Sequence, residues 1–284
     1  MKILITGGKG MLGRTLLKHW EKTHTCFIAD LPETDLTQSD AVDALFATVQ
    51  PDVVVHCAAM TNVDGCETQR DRAFLLNETA TRHVAQACAT YQARLIAIST
   101  DYVFSGDTPG ERKENDPVAP QTVYGASKLA GERAVQQFCP NHVIARIAWL
   151  YGAGGPSFVH TMMALAAADP CRTLNVVDDQ HGNPTSTDAV AEALTAILAR
   201  PELKGIFHLT CEGVTTWCEF AKTIFRLAGY NNLTVAPCSS EEFVRPAKRP
   251  AWSALSKRKL KSVSLPAMPP WQEALARFIR QEWQ

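Results

Sequence analysis

From Met1 to about residue 150, short β-branched apolar runs alternate with longer amphipathic stretches. The runs "KILIT", "TCFIAD", "DVVVHCAA", "RLIAIST" and "HVIARI" read as strands, with helical periodicity between them. Near-continuous apolar strands suit a parallel sheet buried on both faces, and strict alternation of strand and helix implies βαβ crossovers. The pattern predicts an α/β fold built on a doubly wound parallel sheet.

After about residue 150 the pattern loosens. Gly152 to Pro156 forms a cluster of breakers. Beyond it come helical "TDAVAEALTAILA", a short strand "GIFHLT", helical "TTWCEFAKTIFRLAG" and a final amphipathic "PPWQEALARFIRQEW". The expected organisation is a nucleotide-binding domain over residues 1–150 and a smaller substrate-binding region over 151–284, with an approximate, interleaved boundary. No internal repeat or low-complexity segment interrupts it.

Composition narrows the class of function. The chain has 284 residues, 46% of them hydrophobic and 20% charged, and a formal net charge of -1. That balance gives no electrostatic reason to expect nucleic acid or an anionic membrane as partner, and a small molecule fits better. The nine cysteines are scattered without a Cys-x-x-Cys, so neither a disulfide framework nor a zinc site is expected. A cytoplasmic setting follows. "MKILITGG" reaches glycine too soon for the apolar core of a signal peptide, and no later run approaches a membrane span.

Candidate chemistry begins directly after the first strand, at "TGGKGMLG". Glycines at a strand-to-helix junction let the backbone approach a pyrophosphate, whose charge the helix N-terminus stabilises. Gly8, Gly10 and Gly13 match the narrow spacing Gly-x-Gly-x-x-Gly, while Gly7, Gly10 and Gly13 match a wider one. A tight turn without any ligand is the plain alternative. The strand before the loop, the helix after it and Asp30 at the end of the second strand favour a Rossmann-like dinucleotide site. A carboxylate at Asp30 suits the ribose hydroxyls of NAD, whereas Lys9 is a cation that could meet the extra phosphate of NADP. Both NADPH and NADH stay open.

The fourth strand run ends in "AISTDYVFSG", which puts Ser99 and Thr100 at the carboxyl edge of the sheet. Some twenty-five residues later "VYGASKLAGE" sets Tyr124 and Lys128 four apart on one helix face. With 5 tyrosines in the chain, a chance Tyr-x-x-x-Lys is expected roughly 0.2 times. The pair gains meaning only from its context. Reducing a ketone needs a proton for the developing alkoxide, and a phenol supplies one. A free tyrosine has a pKa of about 10, and lowering it to about 7 takes roughly 4 kcal/mol of differential stabilisation. Lys128 and the oxidised nicotinamide are the positive charges at hand, with Thr100 as a donor to the carbonyl oxygen.

A strand-end hydroxyl, Tyr-x-x-x-Lys on the next helix and a wide glycine loop together resemble the short-chain dehydrogenase/reductase superfamily. The wording "YGASKLAGE" resembles its extended branch, which acts largely on nucleotide sugars. Sugar dehydratases carry an acidic residue straight after "STD", where this chain has Tyr102. The motifs "STDYVF", "PDVVVHCAAMTNVDGCE", "ARIAWLYG", "DDQHGNPTS", "GVTTWCEFA" and "RPAWSAL" resemble the dTDP-4-dehydrorhamnose reductase family almost end to end.

That resemblance implies NAD(P)H-dependent reduction of a 4-keto sugar nucleotide to dTDP-L-rhamnose. By it, Tyr124 donates the proton, Lys128 lowers the phenol's pKa and holds the nicotinamide ribose, and Thr100 orients the ketone. Gly10, Met11 and Leu12 would line the pyrophosphate, Asp30 the ribose, and Asp35 and Leu36 the adenine. Ala59, Met60, Thr61 and Ile98 would run along the cofactor, while Thr100, Asp101 and Trp149 meet the sugar. Trp149 is equally readable as core. Asn77 is either an amide satisfied within its helix or a residue that helps place the lysine.

Arg245 to Lys261 carries seven basic residues and no acidic one. Such a run is usually a solvated face, although Arg249 could also meet the sugar-nucleotide diphosphate. Some relatives bind magnesium through acidic residues, one just past the glycine loop, and there this chain has Arg14 and Thr15. The expectation of Mg2+, and of a homodimer built on it, is weakened accordingly. Two other functions stay in view: a cofactor-binding regulatory subunit of the kind that accompanies methionine adenosyltransferase, and a reductase or epimerase of another deoxy-sugar nucleotide.

Overall fold

A computed structural model describes residues 1–283. Its first half contains strands β1 (Lys2–Thr6), β2 (Thr25–Ala29), β3 (Val53–His56), β4 (Arg94–Thr100) and β5 (His142–Ile147). Helices α1 (Met11–Trp20), α2 (Ser39–Val49), α3 (Val63–Thr68), α4 (Arg70–Phe74), α5 (Ala80–Thr90) and α6 (Val123–Phe138) alternate with them. All five predicted strand runs and the predicted alternation are present.

The central sheet has six strands, and the sixth is Gly205–His208 from the second half of the chain. The order is Gly205–His208, β5, β4, β3, β1, β2, with every pairing parallel. The order of connection reverses between β1 and β3. At such a switch point the two crossovers leave for opposite faces and open a crevice at the carboxyl ends of the strands. Side chains alternate across the sheet: Ile3, Val53, Val55, Ile96 and Ile98 enter one apolar cluster, and Leu4, Val54, Leu95 and Ala97 the other. Each fully buried Ile, Leu or Val contributes roughly 1.5–3 kcal/mol. β2 departs from the expected double burial, because it is an edge strand that leaves Ile28 45% exposed.

The helical patterns of the second half appear as Phe158–Ala168, Thr187–Leu198, Trp217–Ala228 and Trp271–Trp283. Thr187–Leu198 lies against α1, where Thr15 Oγ1 donates to Thr187 Oγ1 (2.9 Å) and Trp20 Nε1 to Thr195 Oγ1 (2.8 Å). At the start of β4, buried Arg94 donates to the carbonyls of Ile197 (2.9 Å) and Leu203 (2.8 Å). A guanidinium there satisfies the Ile197 carbonyl in the helix's last turn and complements its dipole. Among the described residues no helix is long and apolar enough to cross a membrane.

Candidate active site

The glycine loop follows from β1 turning sharply into α1. Gly7 sits at φ +68°, and a Cβ there would stand 2.6 Å from the backbone nitrogen of Ala58. A Cβ on Gly13 would meet the Gly7 carbonyl at 2.3 Å. At Gly8 the nearest atoms are those of the Ile28 side chain, the nearest backbone atom is the Ile5 carbonyl oxygen at 3.3 Å, and the backbone is ordinary. Steric need therefore falls on Gly7 and Gly13, the outer pair of the wide spacing. Gly10 caps α1 with no side-chain acceptor, unlike α6, where Thr122 Oγ1 accepts from Gly125 N (3.0 Å). The uncapped N-terminus of α1 faces the crevice, the arrangement that suits a pyrophosphate.

The crevice is a cleft of about 570 Å³. At its floor lie Gly7, Gly10, Met11, Leu12 and Gly13, and towards β2 lie Asp30, Asp35 and Leu36. Ala59, Thr61 and Ile98 line the middle, and Thr100, Tyr124 and Lys128 the far end. Met60, Asp101, Trp149 and Arg249 lie outside its lining, although all four were expected to touch a ligand. Met60 is clamped by its backbone: Asn77 Oδ1 accepts from Met60 N (2.8 Å), and Asn77 Nδ2 donates to Met60 O (3.1 Å) and to Ser127 Oγ (2.9 Å). Asn77 thus ties the loop after β3 to α6 from a π-helical turn, Leu75–Thr79. Such turns recur at functional sites.

Tyr124, Lys128 and Glu132 occupy one face of α6 at successive i, i+4 positions. Lys128 Nζ donates to the Ile98 carbonyl (2.8 Å), and burial lowers its pKa to about 8. Burial raises the Tyr124 phenol; a hydrogen bond from Thr100 opposes this and the Asp101 carboxylate adds to it. Burial is the largest of these influences on the phenol. Tyr124 as a whole is half-buried and lines the cleft. Thr100 differs from expectation. Its hydroxyl donates to Asp101 Oδ1 (2.8 Å) and accepts from Tyr102 N (3.2 Å), so in this arrangement its proton is committed to Asp101.

Beneath this face sits a network the sequence did not reveal. Arg146 on β5 makes a bidentate pair with Glu132 (2.8 and 2.7 Å), and Ser99 Oγ donates to Glu132 Oε1 (2.5 Å). All three are buried, so the pair fixes α6 against β4 and β5. The only signal for it was two opposite charges in otherwise apolar segments.

Beyond Thr100, Asp101 is 3% exposed, its pKa raised by burial to about 6, with Oδ2 lacking a partner. Tyr102 packs edge-on against Tyr124 at 5.5 Å and accepts from Arg249 Nη1 (3.2 Å). Arg249 is paired in turn with Asp64 (2.9 Å). Trp149 takes φ +46°, an uncommon conformation for a large side chain, and stacks on Trp217 at 3.5 Å. Its Nε1 donates to Ser253 Oγ (3.1 Å). Among the described residues no group of three or more His, Cys, Asp or Glu is placed to hold a metal ion.

The family model described as RmlD substrate binding domain matches residues 1–283. A dTDP-4-dehydrorhamnose reductase of Streptomyces griseus is 42% identical over 278 residues, which span 96% of this chain and 91% of that protein. The chain belongs to the dTDP-4-dehydrorhamnose reductase family. The reductase of Escherichia coli K12 is 33% identical to this family member, over 99% of this chain and 98% of its own. Among solved structures, a dTDP-4-dehydrorhamnose reductase from Clostridium acetobutylicum superposes with a TM-score of 0.96 at 40% identity, covering all of both chains. One from Bacillus anthracis, solved in complex with NADP, gives 0.95 at 36% identity, covering 99% of each. For this family member, a Thermus thermophilus UDP-glucose 4-epimerase at 23% identity and TM-score 0.84 shows the shared fold alone.

Proposed function

We propose that this chain is an NAD(P)H-dependent reductase that converts the 4-keto group of dTDP-4-dehydro-L-rhamnose to the alcohol of dTDP-L-rhamnose. The observation that carries the reading is the convergence of Thr100, Tyr124 and Lys128 at one end of a cleft whose floor is a side-chain-free helix N-terminus. A dinucleotide fits the residues present: Gly7, Gly10 and Gly13 leave room for a pyrophosphate, Asp30 for the ribose, and Asp35 with Leu36 for the base. When bound, its reduced nicotinamide supplies the hydride.

The chain's own side chains supply the proton. Tyr124, kept protonated by burial, is the acid for a reduction. Thr100 stands beside the phenol, its own hydroxyl held by Asp101 and the Tyr102 amide. Lys128 spends one donor on Ile98 and keeps two for a ribose and for the phenolate left after transfer. The sugar side draws on both parts of the chain: Trp149 stacked on Trp217, with Asp101 behind and Arg249 toward the diphosphate. Tyr102 occupies the place where elimination of water would need a carboxylate, which favours reduction. Nine scattered cysteines without a Cys-x-x-Cys support a reducing, cytosolic setting.

Purified protein with dTDP-4-dehydro-L-rhamnose and NADPH or NADH is expected to oxidise the nicotinamide, read as loss of absorbance. Failure with both nucleotides overturns the assignment.

A further inference from the structure

The end of the cleft nearest β2 carries an uneven distribution of charge. Asp30 and Asp35 both line it, and among its described lining residues the sole cation is Lys128, at the opposite end. Asp30 is fixed in place by Lys9 N, which donates to Oδ2 at 2.6 Å. The one ammonium beside this end, Lys9 Nζ, is held by both carboxylate oxygens of Glu33 at 2.9 and 2.7 Å. That bond keeps Glu33 below the usual carboxylate range, and so ionised. Arg14 is occupied elsewhere, donating to the Lys9 carbonyl at 2.7 Å and packing against Gly154. Two carboxylates therefore line the place where the adenosine ribose of a dinucleotide would lie, and the ammonium of the adjoining Lys9 is already paired with a third.

We propose that this charge pattern makes the chain select NADH over NADPH, with Glu33 as the residue that sets the selectivity by engaging Lys9. The inference rests on the dinucleotide reading of the cleft and concerns only the group at the ribose 2′ position. A 2′-hydroxyl can donate to the Asp30 carboxylate. A 2′-phosphate, carrying nearly two negative charges and only acceptor oxygens, meets Asp30 and finds Lys9 already paired. Lys9 and Glu33 are both well exposed, at 47% and 65% of their side chains. The pair is thus weak by itself and easily retuned.

Binding is measured without substrate, by titrating the purified chain with NADH or NADPH and following nicotinamide fluorescence. The expected Kd for NADPH is about tenfold or more above that for NADH, a gap of ~1.4 kcal/mol. Glu33→Gln narrows the ratio severalfold by releasing Lys9. Lys9→Ala leaves the ratio near its starting value but abolishes the gain when combined with Glu33→Gln, a coupling read from the double-mutant cycle. Raising the salt from 0.05 to 0.5 M, added as sodium chloride, shrinks the ratio as screening weakens the repulsion. Equal or tighter binding of NADPH by the unaltered chain overturns the inference while leaving the reductase reading intact. A Glu33→Gln gain that survives Lys9→Ala overturns the role given to the pair. Binding of neither nucleotide overturns the dinucleotide reading and this inference with it.

Discussion

Tyr124 and Lys128 are each moved away from their solution behaviour by burial, in opposite directions that serve one reaction. Tyr124→Phe removes the acid and nothing else, so turnover is expected to fall about 10²–10⁴-fold while nucleotide affinity, read by fluorescence titration, stays near its starting value. Lys128 carries its charge below a pKa of about 8 and loses it above. Proton loss removes the cation, so kcat/KM of the free enzyme is expected to fall as pH rises through about 8, measured between pH 6 and 10. A flat profile across that range would rule out the charged lysine. At this scale the sequence was informative about which residues matter, because Tyr-x-x-x-Lys and the glycines are local spacings. It was uninformative about proton direction at Thr100 and about Trp149, since those depend on Asp101 and Trp217, brought in by the fold.

At the scale of elements, α6 is held on two sides. Its buried Glu132 meets Arg146, and its Gly131 lies under the Asn77 carbonyl, where a Cβ would come within 2.3 Å of that oxygen. Gly→Ala in a helix interior ordinarily gains about 0.5–1 kcal/mol. Gly131→Ala should instead destabilise by about 1–3 kcal/mol, because the backbone of the π-helical turn must move. A urea midpoint at or above that of the unaltered chain would refute this. Removing one partner of the buried pair, as in Glu132→Gln, is expected to cost about 3–5 kcal/mol by the same measurement. Element types were readable from periodicity because each of β1 to β5 is an apolar run between helical stretches. The edge position of β2 was not, since its "TCFIA" is as apolar as a central strand, and only pairing order reveals which side lacks a neighbour.

For the molecule as a whole, the sheet and the helices covering it are drawn from both halves of the chain. Arg94 binds the end of the Thr187–Leu198 helix, Trp20 reaches Thr195, and Gly205–His208 closes the sheet beside β5. A fragment of residues 1–150 lacks that strand and that helix, and is expected to show no cooperative urea transition by circular dichroism, whereas the full chain shows one. A sharp transition in the fragment would show that the first half stands alone. The order in which strands enter the sheet also sets a timetable for the chain as it is made. After Ile147 has left the ribosome, about 60 more residues must follow before His208 can pair with Arg146. At ~5–20 residues per second, the open edge of β5 waits roughly 3–12 s for its partner. An unpaired edge invites other strands, so in the cell the nascent first half is the form of this protein that most needs a chaperone.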